Sequence, residues 1–318
     1  MDAMPKTGPL AWLFYLLLRA VFALFEVFPV DMNLRTARLA ARLWVLIMPR
    51  HRERAIQNLT ASFGNRYSPG ELDRIARQAL ESAAMVAIEA ICLPRRLNAF
   101  TWPRYIRLID FDEVLRLIVS GRGVILVTAH YGFFELVGHL LACLGFDAQA
   151  VMRPMDNVYL NRFLVQTRKR HGLTLLDKRG AAAGAEEALR GGACVGFIGD
   201  QDAGRKGVFV DFFGRPASAY KSIALLAMSA EVPIVVGCAR RMGNRAFYEV
   251  AANRVIRPEE WAAQDDPVRW ITQEYTSAIE RFIREEPGQY WWLHRRWKTQ
   301  PGQPRKRRLQ RIERERSA

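Results

Sequence analysis

The sequence predicts an α/β protein with a mainly parallel central sheet flanked by helices, set behind a membrane-associated N-terminal helix and a helical N-terminal region. Three observations carry this. A nearly continuous apolar run fills residues 10–30. Residues 32–118 read as a series of helices. From residue 124 onward, short β-rich runs alternate with helical patterns, the arrangement that buries a parallel sheet between layers of helices. A chain of 318 residues is long enough to bury a full core, and a hydrophobic content of 50% argues against disorder throughout.

The first element reads LAWLFYLLLRAVFALFEVFPV over 10–30. As a helix its 21 residues extend about 31 Å, the thickness of a bilayer core. Arg19 and Glu26 interrupt the run, and with Trp12 they share one helical stripe. A lone arginine near the bilayer centre costs roughly 2.5–3.5 kcal/mol. The run therefore reads as a span with this stripe packed on the protein, or as a helix lying deep in the interface. The competing reading is a buried amphipathic helix of a soluble domain. No small-x-small pattern follows, which argues against a removed signal peptide. Asp2 and Lys6 precede the run, while Arg35, Arg38, Arg42, Arg50, Arg52 and Arg54 follow it, so the bulk of the chain is expected on the cytoplasmic side.

Helical spacing continues over 33–48 and over 51–63, HRERAIQNLTASF, a basic amphipathic helix. Ser68-Pro69-Gly70-Glu71 is a capping box with proline at the first helical position, opening a long helix to about residue 93, before Pro94. A short helix over 112–119 precedes Gly121-Arg122-Gly123. Strands are then expected at 124–128, 148–152, 173–176, 194–198 and 233–238, with an edge strand at 247–250. Helices are expected at 133–144, 158–171, 181–190, 218–230 and 267–284. The tail, 304–318, carries seven basic residues against Glu313 and Glu315 and reads as a loose segment. The expected division is an anchor helix (1–30), a helical region (31–120), an α/β core (121–298) and a basic tail (299–318).

Lys plus Arg number 47 against 32 Asp plus Glu, a net charge of +15. Such a surplus suits nucleic acid, an anionic membrane surface or acidic partners. The four cysteines, Cys92, Cys143, Cys194 and Cys238, form no CxxC pair and sit in apolar stretches. They read as buried free thiols in a reducing compartment, with neither a disulfide framework nor a zinc site.

In open α/β sheets ligands bind beyond the carboxyl ends of the strands. Those ends carry Ala129-His130-Tyr131-Gly132-Phe133-Phe134-Glu135, then Arg153-Pro154, then the stretch from Gly199 through Asp200, Gln201, Asp202 and Arg205 to Gly207, then Arg240 and Arg241. His130 and Glu135 would diverge by about 140° on one continuous helix. With His130 in the turn and Glu135 in the first helical turn, the two side chains can meet. A carboxylate on one imidazole nitrogen fixes the tautomer, and the other nitrogen can take a proton from a hydroxyl. Arg153 could offset charge developing on an attacked carbonyl. The plain alternative is a hydrogen-bonded structural histidine. His139 reads as a core residue, while His51, His171 and His294 sit among basic residues and read as facing water or anions. No GxSxG elbow or GxGxxG turn is present, and Arg205-Lys206-Gly207 replaces the end of a phosphate loop.

Taken together, HRERAIQNLTASF at 51–63, TAHYGFFE at 128–135, VMRPMDN at 151–157, GFIGDQDAGRKGVFVDFFGRPA at 196–217 and QYWWLHRRWK at 289–298 resemble the bacterial lipid A biosynthesis (late) acyltransferases of the lysophospholipid acyltransferase superfamily. The resemblance covers nearly the whole chain. It implies transfer of a fatty acyl chain from acyl carrier protein to a hydroxyl of a glycolipid, at the cytoplasmic face of the inner membrane, without a metal or organic cofactor. It implies His130 as general base with Glu135 as its partner, Arg153 as an oxyanion or phosphate contact, and Asp200, Gln201, Asp202 and Arg205 as a substrate-binding loop. Phe133 and Phe134 are expected to line an apolar groove for the acyl chain, and Arg295 and Arg296 to belong to the substrate-binding residues. Phe133-Phe134 departs from the Asn-Trp more typical of the family, and Lys221-Ser222 departs from its polar-then-Gly pattern. Related members act on phosphatidylinositol mannosides or other glycolipids. A non-catalytic basic protein that binds lipid headgroups or nucleic acid is the reading from a different class. Nucleic acid ranks low because no recognition motif accompanies the charge.

Overall fold

The computed structural model describes residues 7–302 apart from 153, 171, 178–180 and 244. Arg153, His171 and the basic tail at 304–318 lie outside the described residues. A seven-stranded sheet runs through the centre in the order β1-β9-β8-β2-β5-β3-β4. Its strands are β1 (Ile106–Ile109), β2 (Val124–Thr128), β3 (Ala148–Met152), β4 (Thr174–Asp177), β5 (Cys194–Ile198), β8 (Ile234–Arg241) and β9 (Tyr248–Ile256). Every neighbouring pair is parallel except β8–β9. The chain leaves β2 for β3 and β4 on one side, then returns to place β5 between β2 and β3.

Side chains alternate across the sheet, as the period of two requires. Ile125, Val127, Val195 and Val236 face one core, with α8 (Ala181–Arg190), α9 (Ser222–Ala230) and α11 (Pro267–Glu285). Val124, Leu126, Cys194 and Val235 face the other, with α5 (Asp112–Val119) and α6 (Leu136–Cys143). The strands at 124–128, 148–152 and 194–198 and the helices at 112–119 and 181–190 fall where the sequence predicts them.

Three elements differ from expectation. Residues 247–250 form the start of a nine-residue strand that lies inside the sheet, because β1 covers its outer edge. That covering strand, Ile106–Ile109, comes from the region read as purely helical. Residues 218–230 do not form one helix. Ser218 and Ala219 end β7 (Pro216–Ala219), which pairs antiparallel with β6 (Val208–Asp211), and α9 begins only at Ser222.

The N-terminal helices are α1 (Pro9–Val27), α2 (Val30–Ile47), α3 (Pro49–Phe63) and α4 (Pro69–Cys92). The capping box at the start of α4 forms as read, with the Ser68 N–H donating to Glu71 Oε2 at 2.8 Å. None of α1 is buried. It is the one described helix long and apolar enough to cross a membrane. On its polar stripe the Arg19 guanidinium lies 4.4 Å over the Phe163 ring and Glu26 pairs with Arg95, while Trp12 is exposed. The remaining faces expose Leu10, Leu13, Leu17 and Leu24. All four cysteines are free, and Cys143 is the one that is only half-buried.

A buried ion pair fastens α4 to the sheet. Glu89 of α4 is fully buried, and Arg241 at the end of β8 binds it through two bonds of 2.5 and 2.6 Å. Tyr248 Oη donates to Glu89 at 2.7 Å, and Arg241 Nη1 donates to Ser82 Oγ at 3.1 Å. Removing one member of a buried pair strands a charge in a low dielectric, at a cost of about 3–5 kcal/mol. Glu89→Ala is therefore expected to lower the unfolding free energy by about that amount in detergent solution. An unchanged denaturation midpoint would show that the pair does not join the two parts.

Candidate active site

Parallel strands β2 and β5 stand side by side with Thr128 opposite Ile198. Two residues beyond each lies a titratable side chain, His130 and Asp200. The equal offset brings them together. Asp200 Oδ1 sits 2.8 Å from His130 Nδ1, and its Oδ2 accepts the His130 backbone N–H at 3.1 Å. Asp200 is 2% exposed and His130 8%. Burial opposes ionisation of Asp200, but the His130 ring and its hydrogen bonds outweigh burial and hold the carboxyl well below the usual carboxylate range. An ionised Asp200 on Nδ1 puts the ring proton there and leaves Nε2 as the acceptor. Gln201 Nε2 lies 3.5 Å from that nitrogen.

The loop that presents His130 is pinned from three sides. Tyr131 and Gly132 form isolated bridges to Tyr290 and Ala239. Gly132 has a φ of +53°, and a Cβ there would lie 2.0 Å from the Ala239 carbonyl oxygen, so only glycine fits. The Gly132 N–H donates to Gln289 O at 3.1 Å, and the Trp291 N–H donates to His130 O at 3.0 Å. The Gln289 side chain also clamps the Arg241 backbone through two bonds of 2.8 Å. Asn58 of α3 donates to Trp292 O at 2.7 Å and His294 O at 3.2 Å. The sequence motifs at 51–63, 128–135, 196–217 and 289–298 thus converge on one spot.

His294 belongs to this spot and not to a basic surface. Its ring centroid is 4.4 Å from that of His130. Burial pulls it down to about 4, with the Asp200 charge opposing and His130 adding to the fall, so it is neutral at pH 7. His130, Asp200 and His294 bring one ligand atom each within 4.8 Å of one another. Among the described residues, this trio is where a cation would find three donors. No CxxC or paired-histidine spacing announces it in the sequence.

Glu135 does not hold His130. Its two carboxylate oxygens accept from Arg168 Nε at 2.9 Å and Nη2 at 2.6 Å, and His139 Nε2 lies 3.8 Å away. Burial would raise Glu135, but His139 and Arg168 outweigh it and set the carboxyl at about 2. The physical reason is the turn: Glu135 stands at the first position before α6, its side chain turned to Arg168 of α7 (Val158–Arg170) instead of capping the helix, while His130 points to the end of β5.

Among the other expected residues, Phe134 stands 5.1 Å from the His130 ring, but Phe133 is fully buried against Tyr248. Asp202 accepts from Thr299 Oγ1 at 2.9 Å. Arg296 is buried, donates to Ser218 O and Gln201 O, and lies over Phe212, so it braces the loop from inside. Arg205 and Arg295 are exposed.

An apolar cavity of about 160 Å³ runs between the sheet and α6. Phe134, Leu126, Val137, Ala150, Gly196 and Val235 are among its walls, and the Glu135–Arg168 pair stands in them as well. A smaller opening over His130 is lined by Ser82, Val86, Phe134 and Trp291. Phe134 lines both spaces.

A protein-family model described as bacterial lipid A biosynthesis acyltransferase matches residues 6–299. The chain is similar to a lipid A biosynthesis palmitoleoyltransferase of Escherichia coli (strain K12), 28% identical over 258 residues, covering 78% of each chain. It is similar to a lipid A biosynthesis lauroyltransferase of the same strain, 27% identical over 210 residues, covering 64% of this chain and 67% of the relative. A lipid A biosynthesis acyltransferase of Haemophilus influenzae is 30% identical over 182 residues, covering 56% of this chain and 57% of the relative.

The Glu135–Arg168 pair makes stability depend on pH in a definite direction. A carboxylate lowered from 4.5 to about 2 stabilises the fold fully above about pH 4.5 and loses that contribution as pH falls toward 2. Glu135→Gln should therefore be less stable than the parent at neutral pH, with the gap narrowing between pH 4.5 and 2. A gap that stays constant in unfolding measurements across that range would contradict the assignment.

Proposed function

The chain belongs to the bacterial lipid A biosynthesis acyltransferases, and from that premise we propose that it transfers a fatty acyl chain from the thioester of acyl carrier protein to a hydroxyl of a lipid A precursor, with His130 as general base. The observation that carries the mechanism is the short contact between His130 Nδ1 and the buried Asp200 carboxylate. It fixes the tautomer and steadies the imidazolium that forms, leaving Nε2 to act on the substrate.

In this reading the acceptor hydroxyl oxygen attacks the thioester carbon while His130 Nε2 takes its proton. The tetrahedral intermediate collapses, the carbon–sulfur bond breaks, and the proton passes from His130 to the departing thiolate. The substrate hydroxyl is itself the nucleophile, so no acyl-enzyme is required. Arg153, the residue after β3, serves as oxyanion or phosphate contact on the resemblance. Gln201, Asp202, Arg205 and Arg295 belong to the rim that the acceptor reaches. Glu135 is a positioning residue that ties α6 to α7 beside the acyl site.

The acyl chain enters the apolar cavity past Phe134. Each methylene buried there contributes about 0.8 kcal/mol. Helix α1 anchors the protein in the bacterial inner membrane, with the catalytic part on the cytoplasmic face. What supports this is its exposed apolar surface, with Arg19 lying over the Phe163 ring and Glu26 paired with Arg95.

His130→Ala is expected to lower the rate of acyl transfer by about 10²–10⁴ while membrane binding persists, and Asp200→Asn to fall in the same range. Full transfer by His130→Ala, followed by mass spectrometry of the acylated product, would remove the base assignment. The cavity gives a second test. A Cβ on Gly196 would meet its nearest neighbour, Gln149 O, at 3.6 Å, an ordinary contact. Gly196→Val should therefore fold and shift donor preference toward shorter acyl chains. An unchanged preference would place the chain elsewhere.

A further inference from the structure

We infer that the cleft between α2 and α4 is the docking surface for the acidic carrier protein that delivers the acyl thioester. The inference rests on the donor named above. The cleft measures about 520 Å³ and is lined by Arg38, Arg42, Arg74 and Arg77 against two carboxylates, Asp73 and Glu81. It lies outside the His130 site, and the acyl-transfer chemistry makes no use of it.

Its position along α4 gives it a role. Gln78 lines the cleft, and one helical turn further Ser82 lines the opening over His130. Arg74, Gln78, Ser82 and Val86 follow one another at four-residue spacing, a ridge that winds about 120° around the helix from the cleft toward the His130 opening. Arg74 and Val86 are twelve residues apart, about 18 Å along the axis. A phosphopantetheine arm carries its phosphate at one end and the thioester at the other, and extended it covers such a span. With the carrier protein's acidic surface at the arginines, its arm is directed along α4 toward the opening over His130, and the acyl chain continues past Phe134 toward the apolar cavity. Phe134 lines both spaces and so borders the step from one to the other.

The exposure of the arginines favours a protein over a lipid phosphate. The Arg42 side chain is 65% exposed and that of Arg77 53%, each beside an acidic neighbour at 2.7 and 3.0 Å. A single phosphate is held best by desolvated donors. Solvated arginines spread over two helices instead steer a large acidic surface, and they do so in a salt-dependent way. The surplus of 47 basic over 32 acidic residues adds to that steering.

The test is steady-state kinetics of the full chain in detergent micelles, with acyl carrier protein as donor and purified lipid A precursor as acceptor. Arg38→Glu/Arg74→Glu should raise KM for the acyl carrier protein at least tenfold and leave KM for the glycolipid unchanged. Added NaCl should raise the donor KM of the parent protein and change that of the variant little. Arg38→Gln/Arg74→Gln, which removes charge without reversing it, should move the donor KM in the same direction by less. A rise in the glycolipid KM instead would assign the cleft to the acceptor, and no change in either would remove it as a docking surface. If the parent protein failed to use acyl carrier protein at all, the donor reading would fall first and the cleft with it, and that outcome is visible before any variant is made.

Discussion

An ionised carboxylate buried beside an imidazole is the constraint around which the rest of this chain is arranged. Asp200 is almost without solvent, and its charge persists chiefly because His130 supplies both a ring N–H and a backbone N–H to it. Those donors must arrive from a different strand at a fixed height. Strand register delivers the height, and the pinned turn at Tyr131 and Gly132 delivers the angle. The turn is held by Ala239 of β8 and by Gln289 and Trp291 of the C-terminal segment, which Asn58 of α3 in turn fastens through Trp292 O and His294 O. Elements that are far apart in sequence are therefore tied to one carboxylate.

The same economy of charge explains why two carboxylates near His130 have different partners. Glu135 is five residues from His130 and Asp200 is seventy, yet Asp200 is the one in contact. Glu135 points into the layer between the sheet and α6, where Arg168 meets it with a paired, charge-assisted contact. That contact stands in the wall of the apolar cavity. A charge pair in such a wall is tolerable only when its hydrogen bonds are made within it. Glu135 thus fixes the shape of the space beside His130 and leaves the imidazole to Asp200.

The legibility of the chain in its sequence follows the same physical line. Periodicity and capping signals are local, so β2, β3 and β5, helix α5 and the capped start of α4 can be read from residues 112–198 and 68–71 alone. The rim residues His130 and Asp200 can also be found, because each follows the end of a strand. Their pairing cannot, since it depends on which strands are neighbours, and β5 is inserted between β2 and β3. The equal offset of two residues past Thr128 and Ile198 was the available clue. His294 is harder still. It sits in a basic stretch, and only the fold of 289–294 back onto the His130 loop brings it to within 4.4 Å. Strand β1 escapes notice because its four residues become a strand only through pairing with β9.

The charge and the apolar surface can now be placed relative to each other. On α2, Ala37, Ala41 and Val45 face inward, while Leu39, Leu43 and Leu46 face outward, with Arg38 and Arg42 on the flank between them. A helix patterned this way suits an apolar–aqueous boundary, where arginine stems can cover apolar surface while their heads stay wet. Helix α1 packs on α2, α4 and α7 through Phe22 and Phe25 and turns its exposed leucines outward beside those of α2. The arginine flank opens onto α4, and α4 leads to His130. If the outward leucines meet the bilayer, a carrier protein at the arginines approaches from the water, and the acceptor reaches the opening over His130 from the membrane. Two substrates that never share a solvent are then brought to one imidazole, which is the problem an acyl transfer between a soluble thioester and a lipid hydroxyl has to solve.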